Sequence, residues 1–148
     1  MPTVRDLIKA KAGKEPISIA ASETVYHAVE LMADKNIGAV LVTEGDRIVG
    51  ICSERDYARK IVLKGLDSHK TLVKEIMTED MITVNPETTV EQCMALMSKY
   101  HIRHLPVVTD GHLTGLVSIG DVVQSIIADQ ENLISNLEEY IQGLSILR

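Results

Sequence analysis

Residues 17–42 of this chain lie over residues 82–107 at a constant offset of 65, without a gap, and the match runs on to Ile61 over Ile126. Thr24/Thr89, Val25/Val90, Leu31/Leu96, Met32/Met97, Ile37/Ile102, Gly50/Gly115, Ser53/Ser118 and Asp56/Asp121 are identical pairs under that offset. A shorter match precedes it: VRDLI (4–8) lies over VKEIM (73–77), with a four-residue difference in the link that follows. A chain written this way has to fold one supersecondary unit twice. Two copies are too few for a solenoid. The repeat therefore predicts either a pseudo-twofold pair sharing one core or two halves flanking a cleft.

Each copy reads in the same order. TVRDLIKAKAG opens with a T-x-x-D capping box and carries a Gly stop at Gly13, which predicts a short helix. A short strand follows, ISIA or ITVN. Next comes an amphipathic helix over 24–35 or 89–100, with Val25, Ala28, Val29 and Met32, or Val90, Cys93, Met94 and Met97, on one face. Then come a strand (GAVLV or HLPVV), a turn at Glu44-Gly45-Asp46 or Thr109-Asp110-Gly111, and a second strand (RIVGICS or HLTGLVS). A final helix starts at SERD or SIGD. The expected fold class is α/β (α+β), a β-α-β-β-α unit used twice. The expected domains are 1–66 with the N-terminal helix, 67–128, and a helical extension over 129–148. The link KGLDSHKTL (64–72) is polar and short, so the copies should pack together. In the extension, Leu133, Leu137, Ile141 and Leu144 form a stripe with Asp129, Glu131, Glu138 and Glu139 elsewhere. Packing on its own domain is the favoured reading of that stripe, and a dimer contact is the alternative.

Composition narrows the function. The chain has no Trp, no Phe and four Tyr, so a nucleic-acid surface of stacked aromatics is excluded. A net charge of −6 argues against generic binding to nucleic acid or anionic membrane. No apolar run approaches the roughly 20 residues that span a bilayer, and the N-terminus carries no apolar signal core, so a cytoplasmic address is expected. Cys52 and Cys93 form no CxxC pair and read as small core residues.

The motif GICSERD (50–56) returns as GLVSIGD (115–121). S-x-x-D before an apolar helix is a capping box, and a duplicated fold duplicates its caps. A carboxylate is also a natural acceptor for two hydroxyls of a vicinal diol such as ribose. At a strand-to-helix junction both side chains face the open end of the sheet, where ligands of α/β proteins commonly sit. Both readings stand on the residues alone.

The chain as a whole resembles a tandem pair of CBS domains, also called a Bateman module. The resemblance covers about residues 4–128 and rests on the β-α-β-β-α repeat, IRHLPVV (102–108) and the paired G-h-h-S-x-x-D motifs, where h is apolar. It implies a two-domain module with two pseudo-symmetric clefts that bind adenosine compounds: AMP, ADP, ATP, S-adenosylmethionine or NAD. It further implies that Ser53 and Asp56 hold ribose, that Ile82 and Ile102 line adenine, and that Arg103 and His104 meet phosphate. The equivalent cleft has Ser118, Asp121, Ile17 and Ile37. There, Gly38 and Ala39 stand where the second copy has Arg103 and His104, so that cleft lacks the phosphate partner and two unequal sites are expected. Arg55 and Arg59 are either further phosphate contacts or solvated surface charges. His101 and His104 make H-x-x-H without a third ligand at a recognisable spacing, which argues against a metal site.

No nucleophile elbow, P-loop, dinucleotide fingerprint or H-E-x-x-H motif occurs, so the chain is not expected to be an enzyme. The leading expectation is a stand-alone nucleotide-sensing regulatory module, a homodimer acting on an unidentified enzyme or transporter. A dimerisation scaffold with vestigial clefts is the alternative, and a nucleotide hydrolase comes third.

Overall fold

The computed structural model describes residues 1–11 and 16–146, with side chains as far as residue 143. The expected stop at Gly13 and the side chain of Leu144 lie outside the described residues. The elements run α1 (Val4–Ala10), β1 (Ser18–Ala20), α2 (Val25–Lys35), β2 (Ala39–Glu44), β3 (Arg47–Ser53), α3 (Glu54–Tyr57), α4 (Val73–Ile76), α5 (Val90–Tyr100), β4 (His104–Thr109), β5 (His112–Ser118) and α6 (Ile119–Ile146). A π-helical turn, Ala58–Val62, continues α3. The class is α+β, as the repeat predicts.

Local chemistry explains the boundaries. Thr3 and Asp6 close the capping box of α1, with the Thr3 amide donating to Asp6 Oδ2 at 2.9 Å. Thr24 and Thr89 cap α2 and α5, and Asn36 and His101 end them in the left-handed conformation. The β4–β5 turn, Asp110-Gly111, has positive φ at both residues (51° and 79°), the geometry that follows the twist of a hairpin.

One expected strand is missing. ISIA forms β1, parallel to β2, with the Leu41 amide donating to the Ile17 carbonyl at 3.0 Å. ITVN reaches only an isolated bridge between Val84 and Val107. The residue equivalent to Leu41 is Pro106, which has no N–H to give. The second sheet is therefore the hairpin β4–β5, beside the three-stranded β1–β2–β3.

Two hydrophobic cores form rather than one. Ile19, Val25, Ala28, Met32, Val40, Val42, Cys52 and Ile61 make the first, and Val84, Val90, Cys93, Met97, Leu105, Val107, Val117 and Val122 the second. Met94, expected on the buried face of α5, is 47% exposed. The short helices exchange. Val4 and Leu7 of α1 pack into the second core, and Val73 and Ile76 of α4 into the first. Packing thus does not follow a boundary at 66/67. Backbone hydrogen bonds fix the exchange reciprocally: Val4 N to Thr88 O (2.8 Å) and Val90 N to Pro2 O (3.0 Å), matched by Val73 N to Glu23 O (2.8 Å) and Val25 N to Thr71 O (2.9 Å).

Beyond its first turns α6 leaves the module. Val123 and Ile127 are about half exposed, and Leu133, Ile134, Leu137, Tyr140 and Ile141 are exposed too. The favoured reading of this stripe, packing on its own domain, is not what the chain does.

The exchanged helices press on the glycines of the repeated motif. A Cβ on Gly50 would stand 2.9 Å from the Thr78 carbonyl oxygen, and one on Gly115 would stand 2.9 Å from Ile8 Cδ1. Backbone cannot yield as a side-chain tip can. Gly50→Ala is expected to cost about 1–3 kcal/mol in urea unfolding, the range for overpacking, and Gly115→Ala clearly less. Equal losses would mean that the contact with the Thr78 carbonyl is not what excludes a side chain at residue 50.

Candidate functional site

Both repeated motifs are caps. The Asp56 amide donates to Ser53 Oγ at 3.2 Å and the Ser53 amide to Asp56 Oδ2 at 2.9 Å; Asp121 and Ser118 repeat this at 3.2 and 2.8 Å. The cap leaves each carboxylate at the edge of a cleft. Ser53 and Asp56 line a cleft of about 740 Å3 together with Ile82, Ile102, Arg103 and His104, so all six residues expected there are brought together. Its walls come from both halves. Arg103 is at the exposed rim, and Asp56 is 8% exposed. Arg55 reaches across to donate from Nη1 to the His101 carbonyl. Arg59 is exposed and stands outside the cleft lining. Ser118, Asp121, Ile17 and Ile37 line a second cleft of about 1190 Å3.

The two carboxylates are neutralised differently. Asp56 Oδ1 accepts from Thr78 Oγ1 at 3.3 Å and meets Lys60 Nζ at 3.0 Å, one turn along its own helical segment. Residue 125, the counterpart of Lys60, is Ser. Asp121 instead pairs with Lys11 Nζ at 2.9 Å, from the end of the exchanged helix α1. Burial alone would raise the Asp121 carboxyl, but the Ser118 amide and the Lys11 ammonium outweigh it and hold the pKa below the usual value.

Several lining residues escaped sequence reasoning: Thr78, Asp80 and Tyr100 in the first cleft, Lys11 and Lys35 in the second. The offset of 69 between α1 and α4 makes Lys11 the counterpart of Asp80, and the helix exchange sends each to the other half's cleft. The second cleft, expected to lack the phosphate partner that Arg103 represents, thus has two lysines among the described residues.

His104 lies between the clefts and lines both, with its ring 3.3 Å from where a Cβ on Gly38 would be. Burial lowers its pKa, the Lys11 and Arg103 charges lower it further, and Asp121 opposes them. At neutral pH the ring is therefore uncharged, and any charge toward a phosphate at this point belongs to Arg103. Burial pushes the Cys52 thiol up to about 12, so it is inert, and Cys93 is also buried. Among the described residues no group of three or more His, Cys, Asp or Glu is placed to hold a metal ion, and no helix is long and apolar enough to cross a membrane.

A repeated α+β unit, exchanged short helices and paired clefts at the seam between halves define a tandem-repeat module. The chain belongs to the CBS-domain family, whose model matches residues 4–63 and 73–128. It is 42% identical over 149 residues to the CBS domain-containing protein CBSX3, mitochondrial, of Arabidopsis thaliana, covering 95% of this chain and 72% of that protein. Among solved structures it is similar to a protein with CBS domains from Burkholderia ambifaria MC40-6, with a TM-score of 0.82, 50% identity, and coverage of 86% of this chain and 96% of that one. It is also similar to a hexameric CBS-CP12 protein from bloom-forming cyanobacteria, with a TM-score of 0.69, 30% identity, and coverage of 83% and 70%.

His104 makes a signed pH prediction. With its folded pKa below the ordinary 6.5, the unfolded chain takes up this proton first as pH falls, so stability drops below about pH 6.5. His104→Gln should flatten the dependence of the unfolding midpoint between pH 7 and 5. An unchanged slope would assign it to other groups.

Proposed function

We propose that this module binds an adenosine-containing nucleotide in the first cleft and signals by changing how its two halves pack. The observation that carries this reading is the meeting of Ser53 and Asp56 from one half with Ile82, Ile102 and Arg103 from the other around one cleft of about 740 Å3. The volume lies within the usual range for small-molecule sites. Asp56 accepts the ribose hydroxyls, Ile82 and Ile102 flank the adenine, and rim-exposed Arg103 meets phosphate. AMP, ADP, ATP, NAD and S-adenosylmethionine share that adenosine part. A ligand touching both halves favours the arrangement in which both touch it, and only such unequal binding shifts a conformation. The output is the control of an enzyme or transporter. A scaffold with vestigial clefts has one observation in its favour: protein donors engage both Asp56 oxygens.

Calorimetry on protein stripped of carried-over ligand separates the two. Asp56→Asn should weaken AMP and adenosine alike by about 1.5–3 kcal/mol, the worth of a hydrogen bond to a charged group. Arg103→Ala should weaken AMP more than adenosine. No binding of any of the five compounds by the wild type would favour the scaffold.

The module is further proposed to be a homodimer through α6. Val123, Ile127, Ile134, Leu137 and Ile141 recur at helical spacing and are about half exposed or more in a single chain. The acids Asp129, Glu131, Glu138 and Glu139 stand off the stripe. Covering this stripe together with Leu133 and Tyr140 on each copy approaches the roughly 800 Å2 per partner of a standard interface. Light scattering should report a dimer that Leu137→Glu converts to monomer with an unchanged far-UV circular dichroism spectrum. A monomeric wild type would remove α6 as an interface.

A further inference from the structure

We infer that Lys11 selects the ligand of the second cleft: its ammonium rests on Asp121 and transfers to the phosphate when a phosphorylated nucleoside enters. This rests on the adenosine reading above for the nucleoside part, but not for the anion.

Four observations carry it. Lys11 Nζ is 2.9 Å from both Asp121 Oδ2 and the Leu116 carbonyl oxygen, and Lys11 itself lines the cleft. Lys60, the counterion of Asp56, is absent from the lining of the first cleft, so it neutralises that carboxylate from behind, whereas Lys11 does so from the ligand's side. Among the described residues Asp121 Oδ1 accepts no protein donor, so the carboxylate keeps an oxygen for a diol while Oδ2 is shared with Lys11. Finally, the charge balance is reversed between the clefts. Among the described residues, the first sets Arg55 and Arg103 against Glu54, Asp56 and Asp80, and the second sets Lys11 and Lys35 against Asp121.

An ammonium held between a carboxylate and a carbonyl is already well paired, so a neutral nucleoside has nothing to offer it. A phosphate provides a stronger partner and leaves the diol to Asp121. Lys11 is at the end of α1, whose Leu7 is packed in the second core, so its transfer pulls on a helix outside the sheet that bears the site. Lys11 thereby supplies what Gly38 withholds at the position equivalent to Arg103.

The test is amide NMR on the full chain, reading Gly115 and Ser118 for the second cleft and Ser53 and Thr78 for the first, with AMP, adenosine and inorganic pyrophosphate as probes. In the wild type, AMP and pyrophosphate should shift the second-cleft amides. Lys11→Gln should weaken both at that cleft by about tenfold or more, the scale of a lost charge-assisted hydrogen bond, while changing adenosine by less than about threefold. Lys11→Arg should restore the anion binding, which separates charge from any packing role of the stem. An unchanged AMP or pyrophosphate constant at Ser118 in Lys11→Gln overturns the inference, as does a wild type in which pyrophosphate shifts neither second-cleft amide. If AMP and adenosine bind at neither cleft, the adenosine reading fails; pyrophosphate shifts at Ser118 that vanish in Lys11→Gln still uphold the role of Lys11 toward anions.

Discussion

The reciprocal exchange of α1 and α4 is the contact on which the rest of the molecule depends. Each half lacks one side of its own core. Val4 and Leu7 fill the second core from a segment that precedes the first, and Val73 and Ile76 fill the first from a segment that precedes the second. Backbone hydrogen bonds in both directions, among them Val4 N to Thr88 O and Val73 N to Glu23 O, set the register. The halves are therefore interlocked, and the clefts at their seam have fixed partners. The same exchange explains why glycine opens the repeated motif, since the incoming chain passes where a side chain on residue 50 would stand.

The repeated Ser and Asp are caps whose geometry also suits the ligand role proposed for them. A capping carboxylate must stay ionised, partly buried and aimed at the chain reversal, and these are also the requirements of a diol acceptor at a cleft mouth. The energetic difference between the clefts lies in how each carboxylate is neutralised. Lys60 is one helical turn from Asp56 in sequence, whereas Lys11 arrives from 110 residues away. Pseudo-symmetry in the backbone thus coexists with asymmetry in charge, and that asymmetry is the ground of the different ligand preferences proposed for the two clefts.

Much of this was legible in the residues. The offset of 65 located the elements, the caps and most of the buried faces, because periodicity and cap chemistry are local. The failures are tertiary or depend on one atom. The strand expected at ITVN fails because Pro106, on a neighbouring segment, lacks a hydrogen. The buried-face reading of Met94 fails because Val90, Cys93 and Met97 take the core side of α5 and Met94 falls at its exposed edge. Lys11 is not visible at the position aligned with Arg103, which is Gly38, because the basic group comes from a segment with a different offset that crosses to the other half. The offset of 69 held that information, but only an exchange of helices makes it usable. The stripe on α6 was visible, but its surroundings were not: spacing shows that a face is apolar and says nothing about what stands opposite.

Pro106 has a consequence beyond the missing strand. In the second cleft the wall at Ile17 is held by a ladder bond from Leu41, so it is part of a sheet. In the first, Met81 and Ile82 hang between Thr78, bonded to Ile51, and Val84, bonded to Pro106 and Val108. A segment tied only at its ends opens at lower cost than one stitched along its length. One absent hydrogen leaves the wall of the first cleft more compliant than the laddered wall of the second.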